Sequence, residues 1–180
     1  MDIVPGDAAR LDEVVDLCWR EIGTGQPRWV WELITRAGTS PTYEESSLHL
    51  LDGEHLAGAA LYHQLSGLLA PVRWLCGKQF AGENWPRRGS PELFPHTLDL
   101  PSHDDYYLLE FAIAPQYRRQ GHGIRLLHEL SERLLSQGVR QLFLHSTEMG
   151  HPLYLKAGFE DIAHFHYKNG HGAKLMGKRL

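Results

Sequence analysis

The most chemically suggestive run in the chain is Arg118-Arg119-Gln120-Gly121-His122-Gly123, which follows the apolar segment ending in Ile113-Ala114-Pro115. Two arginines and two glycines at the start of a helix make an anion site. A helix N-terminus offers backbone N–H groups without intrahelical partners, together with a partial positive charge. Glycine lets a ligand approach the backbone and tolerates positive φ. Phosphate suits such a site. The same residues also fit a tight turn beside solvated charge, and the loop alone leaves both readings open. Glu110 is the only charged residue in the apolar run from Tyr106 to Ala114. Burying a carboxylate without a partner is costly, so its presence there needs a reason. His145, at a strand end, is a competing titratable group with an unperturbed pKa of about 6.5, or simply a surface residue. His151 reads as a polar residue at a helix start. The chain has 12 histidines, but without Cys or Asp/Glu at ligand spacing no metal is expected.

These residues must be positioned by regular elements, and the pattern supplies them. Ile3 and Val4 suit a short strand ended by Pro5-Gly6, and Asp7 suits a helix cap. Leu11, Val14, Val15, Cys18 and Ile22 fall at helical spacing before Gly23. A second helix is expected from Pro27 to just before Gly38, and residues 39–47 read as a loop. Asp52-Gly53-Glu54 between two apolar runs signals a hairpin of Ser47–Leu51 and His55–Tyr62. Tyr106–Ala114 reads as a buried strand stopped by Pro115. A helix over 123–137, with Leu127, Leu130 and Leu134 on one face, ends at Gly138. Val139–His145 is the next strand, and strand–helix–strand implies a parallel right-handed crossover. A short helix, Pro152–Ala157, ends at Gly158, and 159–167 with 173–180 form a terminal hairpin. Residues 67–105 carry five prolines and no sustained period, yet also Trp74, Phe80, Trp85 and Phe94. They read as an ordered, irregular insertion with a strand near Val72–Leu75.

Composition sets the outer bounds. A chain of 180 residues holds one full core, so residues 1–180 are expected to form a single domain. Net charge −4 and pI near 6.3 give no global attraction to nucleic acid or anionic membrane. Cys18 and Cys76 do not make a zinc or disulfide framework. With neither a leader pattern nor an apolar run of membrane length, a cytoplasmic protein is expected.

The segment from Ile113 to Gly123 resembles the main motif of the GCN5-related N-acetyltransferase (GNAT) superfamily, Gln/Arg-x-x-Gly-x-Gly/Ala after a strand ending in an apolar-x-Pro pattern. Pro152-Leu153-Tyr154-Leu155-Lys156-Ala157-Gly158-Phe159 is similar to a second element of that family, Leu-Tyr-x-Lys-x-Gly-Phe. The close match covers about residues 106–167, and the rest agrees in element order. The resemblance implies an α/β (α+β) acyl-CoA N-acyltransferase fold. It would have a mixed central sheet of about six to seven strands flanked by helices, in the order β-α-α-β-β-β-α-β-α-β-β. It implies acetyl-CoA as co-substrate and transfer of acetyl to a primary amine of a small molecule or peptide by direct attack in a ternary complex. In the family the cofactor strand splays at a bulge, so Phe111, Ala112 and Ile113 would offer backbone groups to the pantetheine arm. Arg118, Arg119, Gln120, Gly121, His122, Gly123 and Ile124 would hold the pyrophosphate.

Tyr154 resembles the family's general acid for the departing thiolate, or else only packs against the cofactor sulfur. Glu110 stands where many relatives carry the general base, often acting through water. A structural Glu paired with an arginine or a backbone amide is the other reading, and His145 is the rival base. Thr147 stands where many members of the family have Asn, seven residues before the tyrosine. A non-catalytic acyl-CoA-binding domain on the same fold is the alternative function. A Rossmann-like nucleotide binder is disfavoured, because the glycines come late and the third is missing. No nucleic-acid or membrane partner is expected, and the resemblance implies a monomer or homodimer. Trp29, Trp31, Trp74 and Trp85 with Arg87 and Arg88 would suit an acceptor with a flat or apolar part and an anionic group.

Overall fold

The computed structural model describes residues 1–22, 27–38, 42–65, 97–99, 102, 104–166 and 172–180. These fold into two compact units, each assembled from two stretches of chain. One comprises Met1–His63 with Leu108–Arg133, and the other Gln64–Tyr107 with Leu134–Leu180.

In the first unit β1 (Asp2–Pro5) leads into a 3-10 turn, Ala8–Arg10, before α1 (Leu11–Ile22) begins. Asp7 does cap, accepting from the Ala9 amide at 2.8 Å, but it caps this short turn rather than α1 itself. The following helix α2 (Arg28–Gly38) starts directly after Pro27 and includes the glycine expected to lie beyond it. Strands β2 (Ser47–Asp52) and β3 (His55–Gln64) form the hairpin, with Gly53 at φ 60° in its turn and a register shift between Leu50 and Leu51. β4 (Tyr106–Ile113) follows in the sheet, giving the strand order β1-β2-β3-β4. The helix α3 (His122–Ser136) comes after it in the chain.

The core of this unit sits between helices and sheet. Val14, Val15, Leu17 and Cys18 of α1 and Trp31 of α2 meet Tyr43, Ala59, Leu61, Ala112 and Ala114. Helical spacing supplies one face of α1, and the small residues of β3 let its neighbour come close. A Cβ on Gly58 would lie 2.5 Å from Ile113 Cδ1 and 3.0 Å from the Ala112 carbonyl oxygen. On α3, Leu126, Leu127 and Leu130 are fully buried, while Arg125, His128 and Glu129 are exposed.

In the second unit the order is β5 (Gln141–Thr147), β7 (Gly172–Arg179), β6 (Glu160–His166). The last strand thus pairs antiparallel with both others, from Gln141↔Arg179 to Thr147↔Ala173 on one side and Glu160↔Gly177 to His166↔Gly172 on the other. A short helix, α4 (His151–Lys156), precedes β6. Gly177 is pressed on three sides, since a Cβ there would come within 3.0 Å of Leu98, Phe143 and Ile162 side chains.

Among the described residues the element order is the expected one, and their seven strands agree with a mixed α/β class. Boundaries differ in places. β5 lies two residues later than expected, because residues 139 and 140 stay outside the ladder. A 3-10 turn, Pro115–Tyr117, separates β4 from the glycine loop. The expected strand near Val72–Leu75, most of the 67–105 insertion, and Trp74, Trp85, Arg87 and Arg88 lie outside the described residues.

Candidate functional site

The loop between β4 and α3 is shaped by two left-handed residues. Arg119 has φ 58° and Gly121 φ 83°, and Arg119 is the one non-glycine residue with positive φ among those described. Alternating hands along a short stretch turns successive amides toward a common side, a concavity suited to anions. The first helical hydrogen bond of this region runs from the Arg125 amide to the Gly121 carbonyl, 3.1 Å. The amides of His122, Gly123 and Ile124 therefore stand ahead of it, at the positive end of a 15-residue helix. Gly121 borders open space, since a Cβ there would meet nothing within 4 Å. Its glycine identity is thus demanded by φ, not by crowding.

The two arginines divide their work. The Arg118 Nε donates to the Ile113 carbonyl at 2.8 Å, and its guanidinium forms an ion pair with Glu21 of α1. It braces the loop against the end of β4. Arg119 is exposed. Gln120 also turns inward to the loop, its Nε2 donating to the Gln116 carbonyl at 2.9 Å. These bonds hold the backbone in a set shape while leaving its amide face to be used. A diphosphate fits such a loop, which offers several oriented N–H donors, adjacent positive charge and room beside Gly121.

Glu110 is 2% exposed. Its partner is neither an arginine nor a backbone amide but a hydroxyl: Thr35 Oγ1 of α2 lies 3.0 Å from both carboxyl oxygens. The Cys18 thiol of α1 is its second hydrogen-bonding neighbour. Burial pushes the carboxyl up to about 7, against the opposing pull of the Thr35 and Cys18 donors. The Cys18 thiol is itself driven well above its usual range by burial and by the neighbouring carboxyl.

In the second unit Tyr154 is buried on α4, its ring edge-on to Phe159 with centroids 5.7 Å apart. Burial pushes the phenol well above its ordinary range, so it keeps its proton at neutral pH. Gly150 lies against that ring: a Cβ there would sit 3.0 Å from Tyr154 Cε2. Thr147 accepts from the Gly150 amide through Oγ1 at 3.2 Å, so the residue that departs from the family pattern shapes this turn.

His145 Nδ1 lies 2.5 Å from the Tyr107 hydroxyl, and burial lowers the imidazole to about 3. A ring that is neutral throughout the physiological range, with Nδ1 taken by a phenol, is a weak base for an ammonium group. His151 pairs with Asp161 (2.8 Å), and Lys174 Nζ reaches the ring at 3.1 Å and the same carboxylate at 3.3 Å. That three-way contact pins the start of α4 to β6 and β7.

Residues 100–180 match the protein-family model "Acetyltransferase (GNAT) domain". Solved structures align over nearly the whole chain. The ribosomal-protein-S18-alanine N-acetyltransferase from Escherichia coli is 16% identical, with 99% of this chain and 93% of that one covered at a TM-score of 0.64. An aminoglycoside 6′-N-acetyltransferase complexed with coenzyme A is 13% identical, covering 99% and 97% at a TM-score of 0.66. The NatC complex bound to Gag peptide and CoA is 14% identical, covering 100% and 99% at 0.64. The chain has the GNAT fold. No curated protein sequence matches it.

The GNAT domain match takes in the arginine–glycine loop, Glu110 and Tyr154, whereas α1, α2 and β1–β3 fall outside the matched segment and agree at the level of fold. Among the described residues no helix is long and apolar enough to cross a membrane, and no cluster of three or more His, Cys, Asp or Glu side chains could hold a metal ion. Of the aromatic residues expected at an acceptor pocket, Trp31 belongs to the core and Trp29 is 65% exposed. Sequence reasoning missed Thr35, Cys18 and Tyr107 as neighbours of the titratable groups. A signal existed for the first two, because each is a polar or ionisable residue on the buried stripe of its helix.

Proposed function

We propose that the chain is an acetyl-CoA-dependent N-acetyltransferase that acetylates a primary amine by direct attack. The observation that carries this reading is the loop before α3, whose left-handed Arg119 and Gly121 present the amides from Arg119 to Ile124. Those amides hold the pyrophosphate, with the Arg119 charge alongside. Arg118 contributes by fixing the loop to Ile113 and Glu21. The backbone of Phe111 and Ala112 is assigned to the pantetheine arm. The Ile113 carbonyl already accepts from Arg118, so the Ile113 share of that contact falls to its amide.

Acetyl-CoA supplies an activated acetyl thioester. The chain must then move two protons. Glu110, ionised, takes one from the acceptor ammonium, leaving a neutral amine to attack, and itself becomes a carboxylic acid. As the C–N bond forms and the C–S bond breaks, the nitrogen sheds its second proton to solvent. Tyr154 donates its phenolic proton to the departing thiolate and regains one from solvent, and Glu110 releases the proton it took to solvent. Glu110 suits the first role, since a base poised near neutrality balances being ionised against being strong enough. His145, neutral down to about pH 3, is disfavoured. Tyr154 suits the second role because its burial keeps it protonated until a strong base appears.

Two measurements test the reading. Adding acetyl-CoA should raise the melting temperature in proportion to the logarithm of its concentration, because the ligand binds only the folded chain. Incubation with a panel of small-molecule and peptide amines should release free CoA thiol. A folded protein that shows no shift with any CoA thioester rules out the proposal. Binding without thiol release across the panel would point instead to an acyl-CoA-binding domain.

A further inference from the structure

We propose that Thr35 and Cys18 position the proton on Glu110, with Thr35 moving its single hydroxyl hydrogen between the Trp31 carbonyl and the Glu110 carboxyl. The inference rests on Glu110 being the base of the reaction proposed above, and it names the residues that govern that base.

Counting hydrogens leads to it. Thr35 Oγ1 lies 2.8 Å from the Trp31 carbonyl oxygen and 3.0 Å from each oxygen of Glu110. A hydroxyl has one hydrogen, and a carbonyl can only accept. If Glu110 is a carboxylate, Thr35 must donate to it, and the 2.8 Å contact to Trp31 becomes one between two oxygens with no hydrogen between them. If Glu110 is a carboxylic acid, its O–H donates to Thr35, Thr35 donates to Trp31, and the Cys18 S–H donates to the remaining carboxyl oxygen. Every hydrogen then has an acceptor. The 2.8 Å contact to Trp31 is thus the one used when Glu110 is protonated, and the equal 3.0 Å approach to both carboxyl oxygens the one used when it is ionised, so a single hydroxyl stands within reach of either acceptor. Losing that proton requires Thr35 to swing its O–H from its own helix to the carboxylate.

The surroundings leave little else to do this work. Cys18 approaches from α1 and Thr35 from α2, while Tyr43, in the turn before β2, belongs to the same buried cluster as Cys18. None of these brings positive charge. Among the described residues no lysine, arginine or histidine forms an ion pair with Glu110. Ala59, Leu61 and Ala112 pack around Cys18 and Tyr43, and the His49 ring that touches the Tyr43 hydroxyl is kept neutral by burial. Two weak donors thus take the place that a cation would fill elsewhere.

The test is a titration of the carboxyl itself, followed by 13C NMR on protein labelled at the glutamate side-chain carboxyl, with Glu110→Gln assigning the resonance. The wild-type midpoint should lie near 7. Thr35→Val removes a partner from both forms but a charge-assisted one from the carboxylate alone, so the midpoint should rise by about one pH unit. Thr35→Ser keeps the hydroxyl and should restore it. Cys18→Ser offers a stronger donor and should lower the midpoint, which provides a second reading if the valine variant does not fold. A midpoint unmoved by Thr35→Val and by Cys18→Ser overturns the inference. The acid limb of kcat/KM, measured on the same variants, separates the two claims. If the titration moves and the limb stays, the Thr35 inference stands and Glu110 is not the base. If the limb moves while the carboxyl does not, Thr35 acts on something else and the inference is lost.

Discussion

Glu110 and Tyr154 are assigned opposite proton tasks, and their environments push both toward the neutral form by the same means, burial. For the carboxyl this sets a pH dependence whose sign follows directly. The base works only when ionised, so activity should rise with pH through about 7 and level off above it. Glu110→Gln should lower kcat by about 10²- to 10⁴-fold, the usual range for a lost general base, and abolish that limb. Tyr154→Phe keeps the ring against Phe159 and removes only the hydroxyl. It should lower kcat with little change in KM for acetyl-CoA, as steady-state kinetics with a fixed amine would report. At Gly121 the issue is backbone rather than chemistry. A side chain at φ 83° costs about 1–2 kcal/mol, so Gly121→Ala should weaken acetyl-CoA binding by roughly tenfold even though the added methyl has space. Isothermal titration would read this directly. A variant that bound as tightly as wild type would show that the left-handed bend at Gly121 is not what orients the amides.

The elements were legible where local signals were strong, and obscure where a long-range partner decides. Asp52-Gly53-Glu54 marked its hairpin, Pro115 ended β4, and Gly138 at φ 79° closed α3, because each acts within a few residues. Nothing local says that β7 inserts between β5 and β6, since the terminal hairpin has the same alternation whichever neighbour its last strand takes. The register break near Ile162 is invisible for the same reason. The loop over 118–124 could be located in the sequence, whereas the engagement of Arg118 by Glu21, 97 residues away, could not. Two glycines show what this scale demands. Gly177 on β7 has no room for a methyl group between Leu98, Phe143 and Ile162, so Gly177→Ala should cost about 1–3 kcal/mol in urea unfolding by overpacking. Gly150→Ala would push on the Tyr154 ring from 3.0 Å. Its stability cost should be smaller, and its effect should appear in kcat instead.

For the molecule as a whole, composition excluded more than it identified: net charge −4 argued against nucleic acid without suggesting an acceptor. What the full fold adds is a set of buried titratable groups whose combined effect on stability can be worked out. His49 is 0% exposed, contacts the Tyr43 hydroxyl through Nε2 at 3.0 Å, and is lowered to about 4 by burial and by Arg10. His145 is lowered to about 3. Unfolding returns each to about 6.5, so between pH 6.5 and these values the unfolded chain binds more protons than the native one. These two groups therefore make stability rise as pH rises across that window. Glu110 acts in the opposite sense. Its native value near 7 exceeds the unfolded value near 4.5, so its contribution is greatest below 4.5 and declines as pH rises toward 7. Each group contributes a slope of about 1.4 kcal/mol per pH unit, and between pH 4.5 and 6 two histidines oppose one carboxyl. Net stability should then rise with pH by about 1.4 kcal/mol per unit there. His49→Gln preserves a polar side chain near Tyr43 and removes one of the two histidine terms, so its stability should be nearly flat over the same range. Glu110→Gln removes the opposing term and should double the wild-type slope. Urea unfolding at half-unit intervals of pH distinguishes these three slopes. Identical slopes for wild type and His49→Gln would mean that His49 is charged in the native core, in conflict with the burial that surrounds it.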